Sequence, residues 1–345
     1  MLPAISVCHD QEEGPMGFVR RMGALALGIV GLGGGALAQG PSPLPPGNVT
    51  VVVSFPAGGP LDTVARLMSD RMSTRLGRSV VVENRPGAAG NVGAGSVVRA
   101  EPNGLTWLMS VDSVWTVNPH LGAPPNFDVD KDLVPIGQVG QVILMLAVNP
   151  KVPAKTWTEL LAHSKTKPLN FGSAGIGSPG HLALEYLKLV APFDAAHVPF
   201  RGAAPTLQEL LAGNIDGAFI VAGVMLDYVR EGKIRALAIS DTRRMAKFPD
   251  VPTAKEAGIG EFVALFSNIL AVPAKTPEPV RAYIHAQMKA VMAMPDVLKR
   301  LDAIGTEPLA TSEKETRAWV AQERERWGKV IKARGVKAAP PPQKK

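Results

Sequence analysis

Val49-Thr50-Val51-Val52-Val53-Ser54-Phe55-Pro56-Ala57-Gly58-Gly59-Pro60-Leu61-Asp62 runs from a β-branched apolar stretch, through a glycine loop, into a helical pattern. Residues 49–54 have strand composition. Residues 61–76 repeat apolar side chains at helical spacing and stop at Gly77. Pro60 suits the first helical turn, where its missing N–H costs nothing. Strand, glycine loop and helix together aim free backbone N–H groups and a positive helix end at one place, which suits an anion. Gly58 and Gly59 let the backbone approach a ligand closely. Asp62 falls in the first turn, where a carboxylate favours the helix dipole but repels an anion at contact distance. Its expected task is to shape the loop.

The arrangement occurs twice. After a short strand ending at Phe171 comes Gly172-Ser173-Ala174-Gly175-Ile176-Gly177-Ser178-Pro179-Gly180-His181, then a helical pattern over residues 181–190. Neither loop contains Lys or Arg. That points away from phosphate transfer and towards a small carboxylate held by backbone amides and the hydroxyls of Ser173 and Ser178. Residues 175–180 formally match G-x-G-x-x-G, the dinucleotide fingerprint. That fingerprint needs an acidic residue ending the next strand, and Phe200-Arg201 stands there instead. His181, one turn into the helix, can contact ligand or hold the loop by a backbone hydrogen bond.

Working outward, strands are expected at 79–83, 106–110, 143–148, 196–200, 218–221 and 236–240. Helices are expected at 88–100, 156–164, 204–212 and 224–231. Repeated βα units imply mostly parallel sheets with helices on both faces. The pattern restarts near Val148-Asn149-Pro150 and returns near residues 266–273, and two helical stretches follow at 277–294 and 312–333. The expected fold is α/β with two lobes, each a mostly parallel sheet flanked by helices, joined by two crossing hinge strands. Lobe 1 is residues 49–148 plus 270–335, and lobe 2 is 149–269. Residues 39–48 form a linker and 336–345 a basic, proline-rich tail. In open α/β sheets ligands sit at the carboxyl ends of strands, where both glycine loops lie. Asp112 and Ser113 end another strand at the same face and are candidates to line the cleft. Arg201, in Val198-Pro199-Phe200-Arg201-Gly202, is the nearest cation.

The 345 residues suffice for two domains of ordinary size, and 46% apolar composition supplies a packed core. The net charge is +7, but basic residues are scattered except in the tail, and aromatics are only 5%. That balance attracts anions without marking a nucleic-acid surface. Residues 1–38 read as a leader. Arg20-Arg21 form a positive n-region, residues 22–37 an apolar small-residue stretch, and Ala36-Leu37-Ala38 fits the cleavage rule. Cleavage is expected after Ala38. The stretch is shorter and richer in glycine than a retained membrane span of about 18–20 apolar residues. The acidic residues Glu12 and Glu13 precede the n-region, so Met16 is the expected start. Cys8, the sole cysteine, would then be absent from the exported chain, leaving no disulfide, thiolate nucleophile or cysteine metal site. No nucleophile elbow, zinc helix motif or Walker loop occurs, so neither a catalytic residue nor a cofactor nor a metal is expected.

Several separated motifs, taken together, resemble the Bug-type extracytoplasmic receptors of tripartite tricarboxylate transporters. They are Phe55-Pro56-Ala57-Gly58-Gly59 with Asp62; Val82-Glu83-Asn84-Arg85-Pro86-Gly87-Ala88-Ala89-Gly90; Asn118-Pro119; Gly172-Ser173-Ala174-Gly175 with Gly177-Ser178 and His181; His197-Val198-Pro199-Phe200-Arg201-Gly202; and Pro249-Asp250-Val251-Pro252-Thr253. The resemblance implies a two-lobed periplasmic-binding-protein ("Venus flytrap") fold. It implies a carboxylate held between the glycine loops and delivery to the membrane subunits of a transporter, or signalling through a sensor protein. It implies a monomer that binds no nucleic acid. Carried over, the ligand-binding residues are Phe55, Ala57, Gly58, Gly59 and Asp62 on one side. On the other they are Ser173, Ala174, Gly175, Gly177, Ser178 and His181, with Arg201 and Gly202 nearby. Phe200 where tyrosine is common, Pro179-Gly180, and Trp115 depart from the pattern in the distal, specificity-setting part. The rival reading is a periplasmic α/β enzyme acting on a carboxylate, with Asp62 or His181 as acid or base.

Overall fold

The computed structural model describes residues 42–122 and 125–338. The leader, its cleavage site, Met16, Cys8 and the last residues of the tail lie outside them. In chain order the strands are β1 (Val49–Val53), β2 (Val80–Asn84), β3 (Thr106–Val111), β4 (Leu133–Val148), β5 (Asn170–Ser173), β6 (Ala196–Pro199), β7 (Gly217–Val221), β8 (Arg235–Ile239), β9 (Leu265–Pro273) and β10 (Thr306–Pro308). The α-helices are α1 (Pro60–Leu76), α2 (Asn91–Val98), α3 (Ser113–Thr116), α4 (Val129–Asp132), α5 (Trp157–Ser164), α6 (Pro179–Val190), α7 (Ala203–Ala212), α8 (Leu226–Arg230), α9 (Glu278–Met292), α10 (Pro295–Ala303) and α11 (Glu313–Arg334). Among the described residues no helix is long and apolar enough to cross a membrane.

The strands lie in the order β2-β1-β3-β9-β4-β7-β5-β6, with β8 and β10 also paired to β4. Two parallel trios, β2-β1-β3 and β6-β5-β7, are the βαβ units expected from the alternating pattern. Between them β9 and β4 run antiparallel to their neighbours. Both sheets are therefore mixed where the crossing strands enter, because a strand that leaves a lobe and one that returns must run in opposite directions.

β4 is the spine. Its first part, through Ile143, pairs with β9; from Leu144 it pairs with β7, and from Met145 with β8 as well. It begins ten residues before the expected strand at 143–148. Pro135, Gly137 and Gly140 read as strand breakers, yet they flank two register shifts that let the ladder continue. Both faces of the later half are covered. Leu144, Leu146 and Val148 join the main core, while Ile143, Met145 and Ala147 join a second cluster with Ile220, Ile239 and Phe248. Ser240 ties the crossing segments together. Its Oγ accepts from Leu144 N–H (2.9 Å) and donates to the Ala264 carbonyl (2.8 Å). Its backbone bonds both of the same residues.

The C-terminal helices pack largely on the first sheet, and α11 also reaches α6. Arg334 pairs with Glu185 (2.9 Å) and Trp327 stacks on Phe266 at 4.9 Å. A capping box at Ser312 and Glu315 starts this helix and Gly335 ends it. Strand β10, three residues long, is too short to carry a periodic signal, while α10, with Val297 and Leu301 buried one turn apart, was missed although its pattern is helical.

Candidate functional site

The first turns of α1, α6 and α7 converge on one cavity of about 230 Å³. Pro60 and Leu61 come from α1, Pro179 from α6, and Ala203, Ala204 and Pro205 from α7. None of these helices has a side-chain N-cap hydrogen bond. α9 and α10 lack one too, so the convergence, more than the missing caps, marks the place. Three positive helix ends around one apolar space favour negative charge over positive there. No acidic side chain lines the cavity, and Arg201 is the one cationic residue that does, among the described residues. Apart from Asn268 the side chains on the walls are otherwise apolar, with Val111, Val142 and Val221 beside Phe55 and Pro56.

Of the residues expected at the site, Phe55, Ala57, Gly59, Ala174, Arg201 and Gly202 line this cavity. Gly58, Asp62, Ser173, Gly175, Gly177, Ser178 and His181 lie in or behind the loops around it. Gly202 brings its loop against Pro56: a Cβ there would stand 3.5 Å from Pro56 Cγ. A Cβ on Gly177 would stand 3.0 Å from Leu121 and 3.2 Å from Ala89, at φ +79°. The second glycine loop thus touches the first lobe directly, and only glycine gives it the room and the backbone angle.

Asp62 holds the first loop in shape. It is buried, and Oδ2 accepts from Gly58 N–H (2.9 Å) and Arg66 Nε (2.9 Å), while Oδ1 accepts from Asn84 Nδ2 (2.9 Å). Asn84 Nδ2 also donates to the Phe55 carbonyl (3.1 Å). Burial alone would raise the Asp62 pKa. The bonds from Arg66, Gly58 and Asn84 outweigh it and hold the carboxyl below the usual range. With these partners the carboxylate is occupied inside the loop.

A pair of stacked imidazoles backs the second loop. His181 and His197 have ring centroids 3.9 Å apart at 15°. Gly177 N–H donates to His181 Nδ1 (3.1 Å), so the ring proton sits on Nε2. His197 Nε2 meets Ser173 Oγ at 2.6 Å, and that hydroxyl donates to the Gly175 carbonyl (3.1 Å). Burial pushes His181 down to about 4 and His197 to about 3, with Lys188 adding to both and His181 to the second. Both rings are neutral at neutral pH. Of the two roles open to His181, the loop-holding one is in place. Gly180 lets α6 approach β7, since a Cβ there would stand 2.4 Å from the Phe219 carbonyl. Ser178 Oγ is buried and has no hydrogen-bond partner.

Asp112 and Ser113 do not line the cavity. Asp112 is fully buried and its Oδ2 accepts from Trp319 Nε1 of α11 (2.7 Å). Burial pushes it up to about 8 against that bond, with nearby Glu323 adding to the rise. It faces α11 because the end of β3 is roofed by that helix. The Trp115 side chain is buried in the core beside Val52 and Ile269. The sequence reading missed Asn268, Val111, Val142 and Val221. Asn268 had a signal: it and Ser267 are polar in an otherwise apolar run.

Residues 64–336 match the model of the tripartite tricarboxylate transporter family receptor. Protein BugT of Bordetella pertussis is 31% identical over 84% of this chain and 90% of its own. The solved periplasmic binding protein BugD is 29% identical with a TM-score of 0.78, over 84% of this chain and 98% of its own. MatC from Rhodopseudomonas palustris, solved with bound malate, is 32% identical with a TM-score of 0.77, over 82% and 98%. These are solute-binding receptors and not enzymes, which sets aside the acid–base reading of Asp62 and His181. The chain, with its two lobes and facing glycine loops, belongs to the Bug-type receptor family of tripartite tricarboxylate transporters.

Proposed function

We propose that this protein is a periplasmic receptor that captures a small organic carboxylate between its lobes and delivers it to the membrane subunits of a tripartite transporter. The observation that carries the reading is the convergence of three helix N-termini and Arg201 on a cavity without acidic side chains. Such a cavity favours an anion with backbone dipoles, and its size suits a ligand below drug dimensions. The closed arrangement gains contacts to ligand that an open one lacks, so ligand shifts the population towards closure. The lobes that close are residues 49–148 with 270–335, and 149–269. The crossing strand β4 and the segment held by Ser240 act as the hinge. Export by the leader cleaved after Ala38 fits the family's place outside the cytoplasm.

The test is a thermal-shift screen of the purified protein, stripped of co-purified ligand by unfolding and refolding. Malate, other mono-, di- and tricarboxylates, amino acids and neutral analogues form the panel. A ligand at 100 times Kd adds about 2.7 kcal/mol of stability. Selective stabilisation by carboxylates over their amides and alcohols is the expected result. Stabilisation by neutral or cationic compounds alone would overturn the reading.

A further inference from the structure

The floor of the cavity carries one polar side chain that the loops do not account for. Asn268 lies on β9 between Val111 of β3 and Gly140 of β4. The backbone pairs on both sides, so the strand register fixes the face on which the side chain stands. It is 2% exposed, it lines the cavity, and its Oδ1 has no hydrogen-bond partner. Gly140 opposite offers no side chain to reach it. Its neighbours along the wall, Val111, Val142 and Val221, are apolar. A buried amide oxygen without a partner destabilises the empty protein unless a donor arrives to pair with it.

We infer that the ligand is a monocarboxylate whose far end carries a neutral hydroxyl, and that Asn268 is the residue that selects it. The inference rests on the carboxylate reading above, which places the ligand's charge at the helix ends. Three alternatives for the far end fail on the residues present. A methyl end leaves the amide unpaired. A second carboxylate would be buried without a cation, because Arg201, the one cationic residue on the wall, is exposed on its loop while Asn268 is sealed. An ammonium end finds no acidic side chain. A hydroxyl both donates and accepts, so it pairs with whichever end of the amide faces inward. A site built to bond a hydroxyl discriminates strongly against the analogue that lacks it.

A matched series tests this directly: hexanoate, 6-hydroxyhexanoate and adipate, titrated by calorimetry into refolded protein. The expected result is 6-hydroxyhexanoate at least tenfold tighter than either of the others. In Asn268→Leu the preference for the hydroxyl disappears and hexanoate becomes at least its equal. Asn268→Ala, which removes the amide without adding apolar bulk, loses the preference too. Equal or tighter binding of hexanoate or adipate by the wild type overturns the inference and leaves the carboxylate reading standing. So does a hydroxyl preference that survives in both variants. If none of the three acids binds, the inference is overturned; if 1,6-hexanediol binds in their place, the carboxylate reading itself has failed with it.

Discussion

Replacing Asp62 with alanine separates loop shaping from ligand contact. The carboxylate accepts three hydrogen bonds within 2.9 Å, from Gly58 N–H, Arg66 Nε and Asn84 Nδ2. Arg66 is half-exposed and recovers water, so its loss is small. Gly58 is exposed and Asn84 is half-buried with its Nδ2 still bonded to the Phe55 carbonyl, so each lost bond costs the ordinary net value of about 0.5–1.5 kcal/mol. The expected destabilisation is therefore about 1–3 kcal/mol at neutral pH, where the low pKa keeps Asp62 ionised. The sign against pH follows from that depressed pKa. The stabilisation is present above the unfolded value near 3.8 and is lost as pH falls through the lower folded value, so the variant and wild type converge only in acid. Denaturant unfolding measures stability, and calorimetry with a bound acid measures affinity. A loop released from its bonds should lose both together, and Asp62→Asn, which keeps one acceptor, should lose less of each. A variant of unchanged stability that no longer binds would refute the reasoning, because the carboxylate would then touch ligand.

Asp112→Asn should stabilise the protein between pH 6 and 8 and have little effect near pH 4. The folded pKa is raised to about 8 from 3.8, so the folded state holds a proton that the unfolded state has lost, and wild-type stability falls as pH rises through that window. An equal effect at pH 4 and pH 8 in unfolding curves would show that the carboxyl is not held neutral. The histidine pair carries the opposite sign: with folded values of about 4 and 3 against 6.5, stability is lost as pH falls from 6.5 towards 4. The double change of His181 and His197 to phenylalanine should cost stability at pH 7.5 through the lost bonds to Gly177 and Ser173, and less at pH 5; a deficit that grows in acid would contradict the neutral pair. Arg201→Ala should weaken carboxylate binding about tenfold while leaving the melting temperature of the empty protein unchanged, since the side chain is exposed. Unaltered affinity across the acid panel would remove Arg201 from the site.

The parts legible in the sequence were those whose signal is local. Strand runs such as residues 49–54 and glycine-led helices such as α1 and α6 announce themselves through β-branched composition, spacing and proline at the first turn. Both glycine loops, each between a strand and a helix, are legible from these features. The assignment of Asp62 to loop shaping followed from like-charge repulsion and agrees with its three partners.

Tertiary structure decided the rest. Gly137 and Gly140 look like breaks in a strand, but they are there because a Cβ would stand 2.3 Å from the Thr311 carbonyl and 2.5 Å from Thr306. That crowding comes from chain some 170 residues away, so no local pattern could report it. Asp112 was assigned to the cleft by its place at a strand end, and α11, two hundred residues later, roofs it with Trp319. The third helix end at the cavity, that of α7, and the floor residue Asn268 join the site only when the crossing strands bring two sheets together. The chain alone thus determined which segments become strands, helices and glycine loops, because propensity, capping and period act over a few residues. Which of their side chains line the cavity and which are sealed behind it was settled by packing between segments far apart in sequence, where register and burial are decided.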